Sequence, residues 1–185
     1  MADISTRLDE VRSRIQETEF LEGKGLSNEV NIHIFCYHPS EEMAVRRFVA
    51  SLHEDTGLAC RVVEKNLYEE FLAICERKRI LGGIAGMEAR KGKEFLLRQL
   101  YSIATEKEFI TQMQYAPHQR GDVLMLTGVG EVFPFMRVHK LLEAMQPYFS
   151  DIPILVMYPG EFDGHQLKLF SQLRPNDYYR AFNIV

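Results

Sequence analysis

Five short apolar runs, separated by segments of helical periodicity, constrain this chain more than any single motif does. The runs are Val30–Tyr37, Cys60–Glu64, Asp122–Thr127, Ile154–Tyr158 and Ala181–Val185. Continuous apolar strands are buried on both faces, and strands that alternate with helices pair in parallel through right-handed crossovers. The expected fold is therefore α/β: a three-layer α/β/α domain with a mainly parallel five-stranded sheet. By analogy with other folds of this strand count, the expected strand order is that of P-loop and RecA-like ATPases, with the first strand central.

The intervening segments support that reading. Ile4, Leu8, Val11 and Ile15 recur at near-helical spacing behind Asp3, a residue suited to cap a helix, and Gly23 marks a stop. Residues 1–25 are thus an amphipathic helix expected to pack on the sheet. Further helices are predicted over 41–56, 67–79, 84–112 with a break near Thr105, 134–147, and a short one over 165–173. No repeat or Pro/Gly/Ser-rich linker divides the 185 residues, so residues 1–185 read as a single α/β domain.

Composition excludes several function classes. No apolar run approaches the ~20 residues that cross a bilayer, and the N-terminus lacks a basic, apolar leader, so a cytoplasmic location and no membrane partner are expected. The net charge of −4 gives no overall basic footprint, and direct DNA binding is not expected. Around Arg90, Lys91, Lys93 and Arg98 the basic residues alternate with Glu88 and Glu94, as on a solvated helix face. Cys36, Cys60 and Cys75 are odd in number and widely spaced, which suits buried thiols rather than disulfides.

A phosphate loop needs glycines for close backbone approach and a lysine for charge. After its first strand this chain has His38-Pro39-Ser40-Glu41-Glu42 instead, and Gly86 to Gly92-Lys93-Glu94 has the wrong spacing and no Ser or Thr. No histidine has a second at helical ligand spacing. Two mixed clusters, His38 with Glu41 and Glu42, and Glu161, Asp163 with His165, read first as capped or solvated loops. Cys36 and His38 share a strand face, but a buried thiol beside a loop histidine is the plainer reading, and no serine sits in a Gly-x-Ser-x-Gly elbow. No cofactor, metal site or catalytic residue is assigned.

Two strand ends nevertheless open into loops of glycine, acid and aromatic residues, as ligand crevices of α/β sheets do. The candidate pocket comprises Gly128, Gly130, Glu131, Arg137, His139, Glu161, Asp163 and His165. Proline at 134 is placed at a helix start, whose free amides accept anions. Tyr178, Tyr179 and Arg180 form a candidate partner surface, because aromatic and arginine clusters are enriched where proteins bind proteins.

The runs GVGEVFPFMRVHKLL, PILVMYPGEFDG and NDYYRAFNIV, together with the upstream GKGLSNEVNIHIFCYHP, resemble the BrxB family of bacterial BREX (bacteriophage exclusion) phage-defence systems. The resemblance spans nearly the whole chain. It implies a small component of a multi-gene system that acts with an ATPase, a methyltransferase and a PglZ-like phosphatase-superfamily protein. The expectation is a non-catalytic adaptor docking on the PglZ-like protein or another BREX component. The alternative is a nucleotide- or metal-dependent enzyme or sensor built around Glu131, His139, Glu161 and Asp163.

Overall fold

In the computed structural model, which describes residues 3–23, 31–178 and 180–185, a strand overlaps each of the five apolar runs. They are β1 (Ile32–Tyr37), β2 (Arg61–Asn66), β3 (Asp122–Thr127), β4 (Ile154–Phe162) and β7 (Phe182–Asn183). Val30 and the segment 24–30 lie outside the described residues. The five pair in parallel in the order β2-β3-β4-β1-β7. The first strand is interior, as expected, but β4 holds the middle position rather than β1.

Alternation of side chains along these strands divides the core in two. Ile34, Leu124, Leu126, Ile154 and Val156 face one layer, made by α4 (Leu67–Arg77), α6 (Lys93–Ile103), α7 (Glu106–Met113) and α9 (Val138–Met145). Phe35, Val123, Met125, Leu155 and Met157 face the other, made by α1 (Ile4–Arg14), α2 (Thr18–Glu22) and α3 (Glu42–Glu54). Every residue of β3 is buried, as the apolar run Val123–Leu126 demands of a strand covered on both sides. The three-layer architecture follows.

Three elements differ from the sequence reading. The long helical pattern over 84–112 breaks near Thr105 as expected, where the hydroxyl accepts the Glu108 amide at 3.3 Å to start α7, but it also breaks at Gly92, which separates α5 (Ile84–Lys91) from α6. The segment 165–173 is not helical: Gln166–Leu169 forms β5, antiparallel to an extension of β4, with Glu161 opposite Lys168 and Phe162 opposite Leu167. Leu167 and Leu169 are buried on alternate positions, so the period is two, and Asp163-Gly164 supplies the turn, with Gly164 at φ +94°. A two-residue strand, β6 (Asn176–Asp177), pairs with β5. Finally, the expected helix 134–147 begins only at Val138, after Pro134, with Arg137 at its N-cap.

On β1, His33 is packed against Phe20 (4.7 Å between rings) and Phe182 (5.9 Å), with Nε2 2.8 Å from Asn31 Oδ1. Burial pulls its pKa down to about 4. The unfolded chain, with a histidine near ~6.5, then binds a proton between those values that the folded chain does not. Stability therefore rises with pH across that window, by about 2 kcal/mol for this residue once its remaining contact with solvent is allowed for. The urea midpoint of the wild type is expected to fall between pH 6.5 and about pH 4, and His33→Gln to flatten that fall. An equally steep fall in the variant would remove His33 as its source.

Candidate functional site

At the carboxyl ends of the strands the chain departs in opposite directions. After β1 it turns through Pro39–Glu41 into α3 on one face, whereas after β3 it enters α8 (Val129–Val132) and α9 on the other. Divergent exits from a parallel sheet leave a crevice between them. Here it is a cavity of about 230 Å³ whose lining includes Tyr37, Glu42, Arg46, Thr127, Gly128 and Met157.

Its polar side chains are joined to one another. Tyr37 donates its hydroxyl to Glu42 at 2.6 Å, Arg46 Nε donates to Glu42 at 2.9 Å, and Arg46 Nη2 reaches Glu131 at 2.8 Å. Arg46 thus bridges α3 and α8 across the opening. On the same lining, Thr127 donates to Glu64 Oε1 at 2.6 Å, and His53 Nε2 lies 2.8 Å from Glu64 Oε2. Burial, reinforced by Glu42, raises the Tyr37 pKa, so its hydroxyl remains a donor at neutral pH. Burial likewise pushes the Cys36 thiol up to about 12, which removes it as a nucleophile.

The loop where a phosphate loop would lie is instead a capping box. His38 Nδ1 accepts the Ser40 amide at 3.3 Å, and Glu41 accepts the His38 amide at 2.8 Å, which starts the helical turn ahead of α3. The His38, Glu41, Glu42 group is accordingly occupied in local structure. Among the described residues no group of three or more His, Cys, Asp or Glu side chains is arranged to hold a metal ion.

Of the eight pocket residues expected from sequence, Gly128 lines this crevice and Glu131 joins its network through Arg46. Gly128 is left-handed (φ +67°) and passes against Asn66, whose side chain caps α4 by accepting the amides of Tyr68 (3.0 Å) and Glu69 (3.3 Å). Gly130 lies in α8, where a Cβ would stand 2.8 Å from Phe170. Arg137 is elsewhere: its guanidinium sits 5.1 Å over the Phe133 ring, on the lining of a second cavity of about 370 Å³. His139 is half-buried on α9, with its pKa lowered by burial.

Glu161, Asp163 and His165 belong to the β4–β5 hairpin. Glu161 is exposed opposite Lys168, and Asp163 accepts the amides of His165 (2.8 Å) and Gln166 (2.7 Å), bonds that lower its pKa. His165 is exposed at that turn. These three residues build a turn and are not among the residues that line the crevice bordered by Gly128.

The expected partner surface also needs correction. Tyr178 is 2% exposed and packed in the core, and its amide donates to the His165 carbonyl at 2.6 Å. A large ring leading into the last strand serves to close the core at this point. Tyr179 lies outside the described residues, and Arg180 is exposed, with Nη1 3.2 Å from Gln146 Oε1. Sequence reasoning missed Arg46, Glu64, His53 and Thr127. The i, i+4 spacing of Glu42 and Arg46 was the available signal; nothing local connects Glu64 with Thr127.

A protein-family model described as BREX protein BrxB matches residues 63–184, from within β2 to the last strand. The chain belongs to the BrxB family. Two relatives named BREX protein BrxB align over nearly their full lengths. One, from Bacillus cereus (strain H3081.97), is 36% identical over 192 residues, covering 100% of this chain and 99% of its own. The other, from Escherichia coli O9:H4 (strain HS), is 30% identical over 186 residues, covering 97% and 90%. BrxB membership places the chain in a BREX system and so in phage defence. No solved structure matches it. Among the described residues no helix is long and apolar enough to cross a membrane.

Proposed function

We propose that this chain is a non-catalytic adaptor or assembly component of its BREX system, docking on a PglZ-like phosphatase-superfamily protein or another BREX protein in the cytoplasm. The observation that carries this reading is the Glu42–Arg46–Glu131 bridge across the strand-end crevice. Where an α/β enzyme would present free donors to a nucleotide, these side chains are committed to each other, and three carboxylates (Glu42, Glu64 and Glu131) oppose an incoming phosphate. The dispersal of the other expected pocket residues onto a hairpin and α9 supports the same view. So do large apolar side chains left in solvent, among them Leu97 and Tyr101.

The test is co-expression of the tagged chain with each of the other BREX proteins in turn, followed by purification and sizing. A stoichiometric complex with at least one of them, the PglZ-like protein first, is the expected outcome. Failure to retain any BREX protein at micromolar concentration, together with saturable binding of a nucleotide, would overturn the adaptor in favour of a sensor.

A further inference from the structure

Helix α6 carries two apolar ridges, and the core uses one of them. Leu96 and Leu100 are buried, whereas Leu97 and Tyr101 are 37% and 44% exposed. Residues four apart stack along one line of a helix and the next residue lies about 100° round, so the second ridge runs beside the first and looks outward. A groove of about 420 Å³ is lined by Leu97 with Leu96, Leu100 and Phe135, and Tyr101 lines the 370 Å³ cavity next to it. Phe135 is fixed in turn, stacked on Phe71 at 4.5 Å with Tyr101 tilted against it at 6.2 Å. The groove is therefore pre-shaped, with little side-chain freedom left to lose on binding.

Phe135 also borders the 370 Å³ cavity, so the two form one continuous face. That second cavity carries Arg137 and Lys140, neither of which has an ion-pair partner among the described residues, and one acid, Glu106. An apolar trough thus leads to a site with one positive charge in excess. The trough itself is edged by Glu88 and Glu94 as well as Lys93, an arrangement that repels a phosphate backbone but not a peptide.

We propose that this face is where the partner protein docks. The matching segment would lay apolar side chains along Leu97 and Tyr101 and direct an aspartate or glutamate to Arg137 and Lys140. The proposal rests on the adaptor reading and adds to it the surface and the chemistry of its complement. An exposed tyrosine backed by a rigid core is a usual centre of binding energy, the leucine beside it helps to exclude water, and charges at the rim set orientation and rate.

The test titrates the BREX protein that co-purifies with the chain against three variants whose thermal melting matches the wild type. Leu97→Ser/Tyr101→Ser is expected to weaken Kd at least tenfold. Lys140→Glu is expected to weaken it about threefold or more at low salt and less at high salt. Tyr148→Ser, at a residue 51% exposed and outside both cavities, should leave it unchanged. If the wild type retains no BREX protein, the adaptor reading itself fails. If the wild type binds and the groove variants bind equally well, only the surface assignment is overturned. Loss of self-association or of DNA binding in the groove variants, with partner binding intact, would give this face to another occupant and overturn it too.

Discussion

Replacing Asp122 with alanine is expected to lower the unfolding free energy by about 3 kcal/mol, read as a drop in the urea midpoint at unchanged slope. The carboxylate stands at the amino end of β3, 1% exposed, directly opposite Arg61 in the register. It accepts Arg61 Nε and Nη2, each at 2.6 Å, the Tyr115 hydroxyl at 2.9 Å and the Gln119 amide at 2.9 Å. One side chain thereby ties β2, β3 and the loop before β3 together. Arg61 is half-exposed and regains water when its partner goes, which keeps the cost below that of a pair buried on both sides. Asp122→Asn, which keeps an acceptor but sets an amide donor against Arg61, should fall between the two.

The pH dependence of that loss has a definite sign. Burial alone would raise the Asp122 pKa; Arg61, the Gln119 amide and Tyr115 outweigh it and hold the carboxyl below the ordinary aspartate range. A depressed folded pKa stabilises fully above the unfolded value, about 3.9, and the contribution disappears as pH falls through the folded value. Wild type and Asp122→Ala should therefore converge only in strong acid. Equal midpoints at neutral pH would show that the network contributes nothing net.

Gly128→Ala is expected to cost about 2–3 kcal/mol, from a left-handed residue with a Cβ and from the loss of a helix cap. A Cβ at 128 would overlap Asn66 Oδ1 and stand 2.9 Å from its Cγ and 3.2 Å from the Tyr68 amide. Asn66 would have to move, releasing the Tyr68 and Glu69 amides at the start of α4. Gly164→Ala provides the comparison, because Gly164 is also left-handed (φ +94°) but has nothing within 4 Å of a Cβ. Its cost should be the conformational share alone, roughly 1 kcal/mol. Faster amide exchange at Tyr68 and Glu69 in Gly128→Ala, absent from Gly164→Ala, would identify the cap as the difference; equal costs would refute the overlap.

The sheet was legible because β3 and β4 are buried on both faces and so leave an uninterrupted apolar record. The hairpin was not. Leu167, Leu169 and Phe170 are too few to separate a period of two from one of 3.6, and the pairing of Gln166–Leu169 with Gly160–Phe162 is made across a turn. In the candidate site, Gly128 was found because left-handed backbone selects for glycine. The partners of Glu131 and Thr127 were not, since Arg46 and Glu64 are brought to them only by the parallel order of β1 to β4. Tyr178 misled for another reason: tyrosine suits both an interface and a core, and only its placement distinguishes them.

The order of the sheet also fixes when it can be finished. β1 is synthesised well before β7, yet β7 is one of its two neighbours, with His33 beside Phe182 and Ile34 beside Asn183. Until Phe182 and Asn183 have left the ribosome, β1 has an unpaired row of amides and carbonyls on that side, the kind of edge that recruits strands from other chains. A nascent chain of this protein therefore carries a sticky flank on β1 until residues 182 and 183 are made, and it is the pairing of those two residues with His33 and Ile34 that begins to cover it.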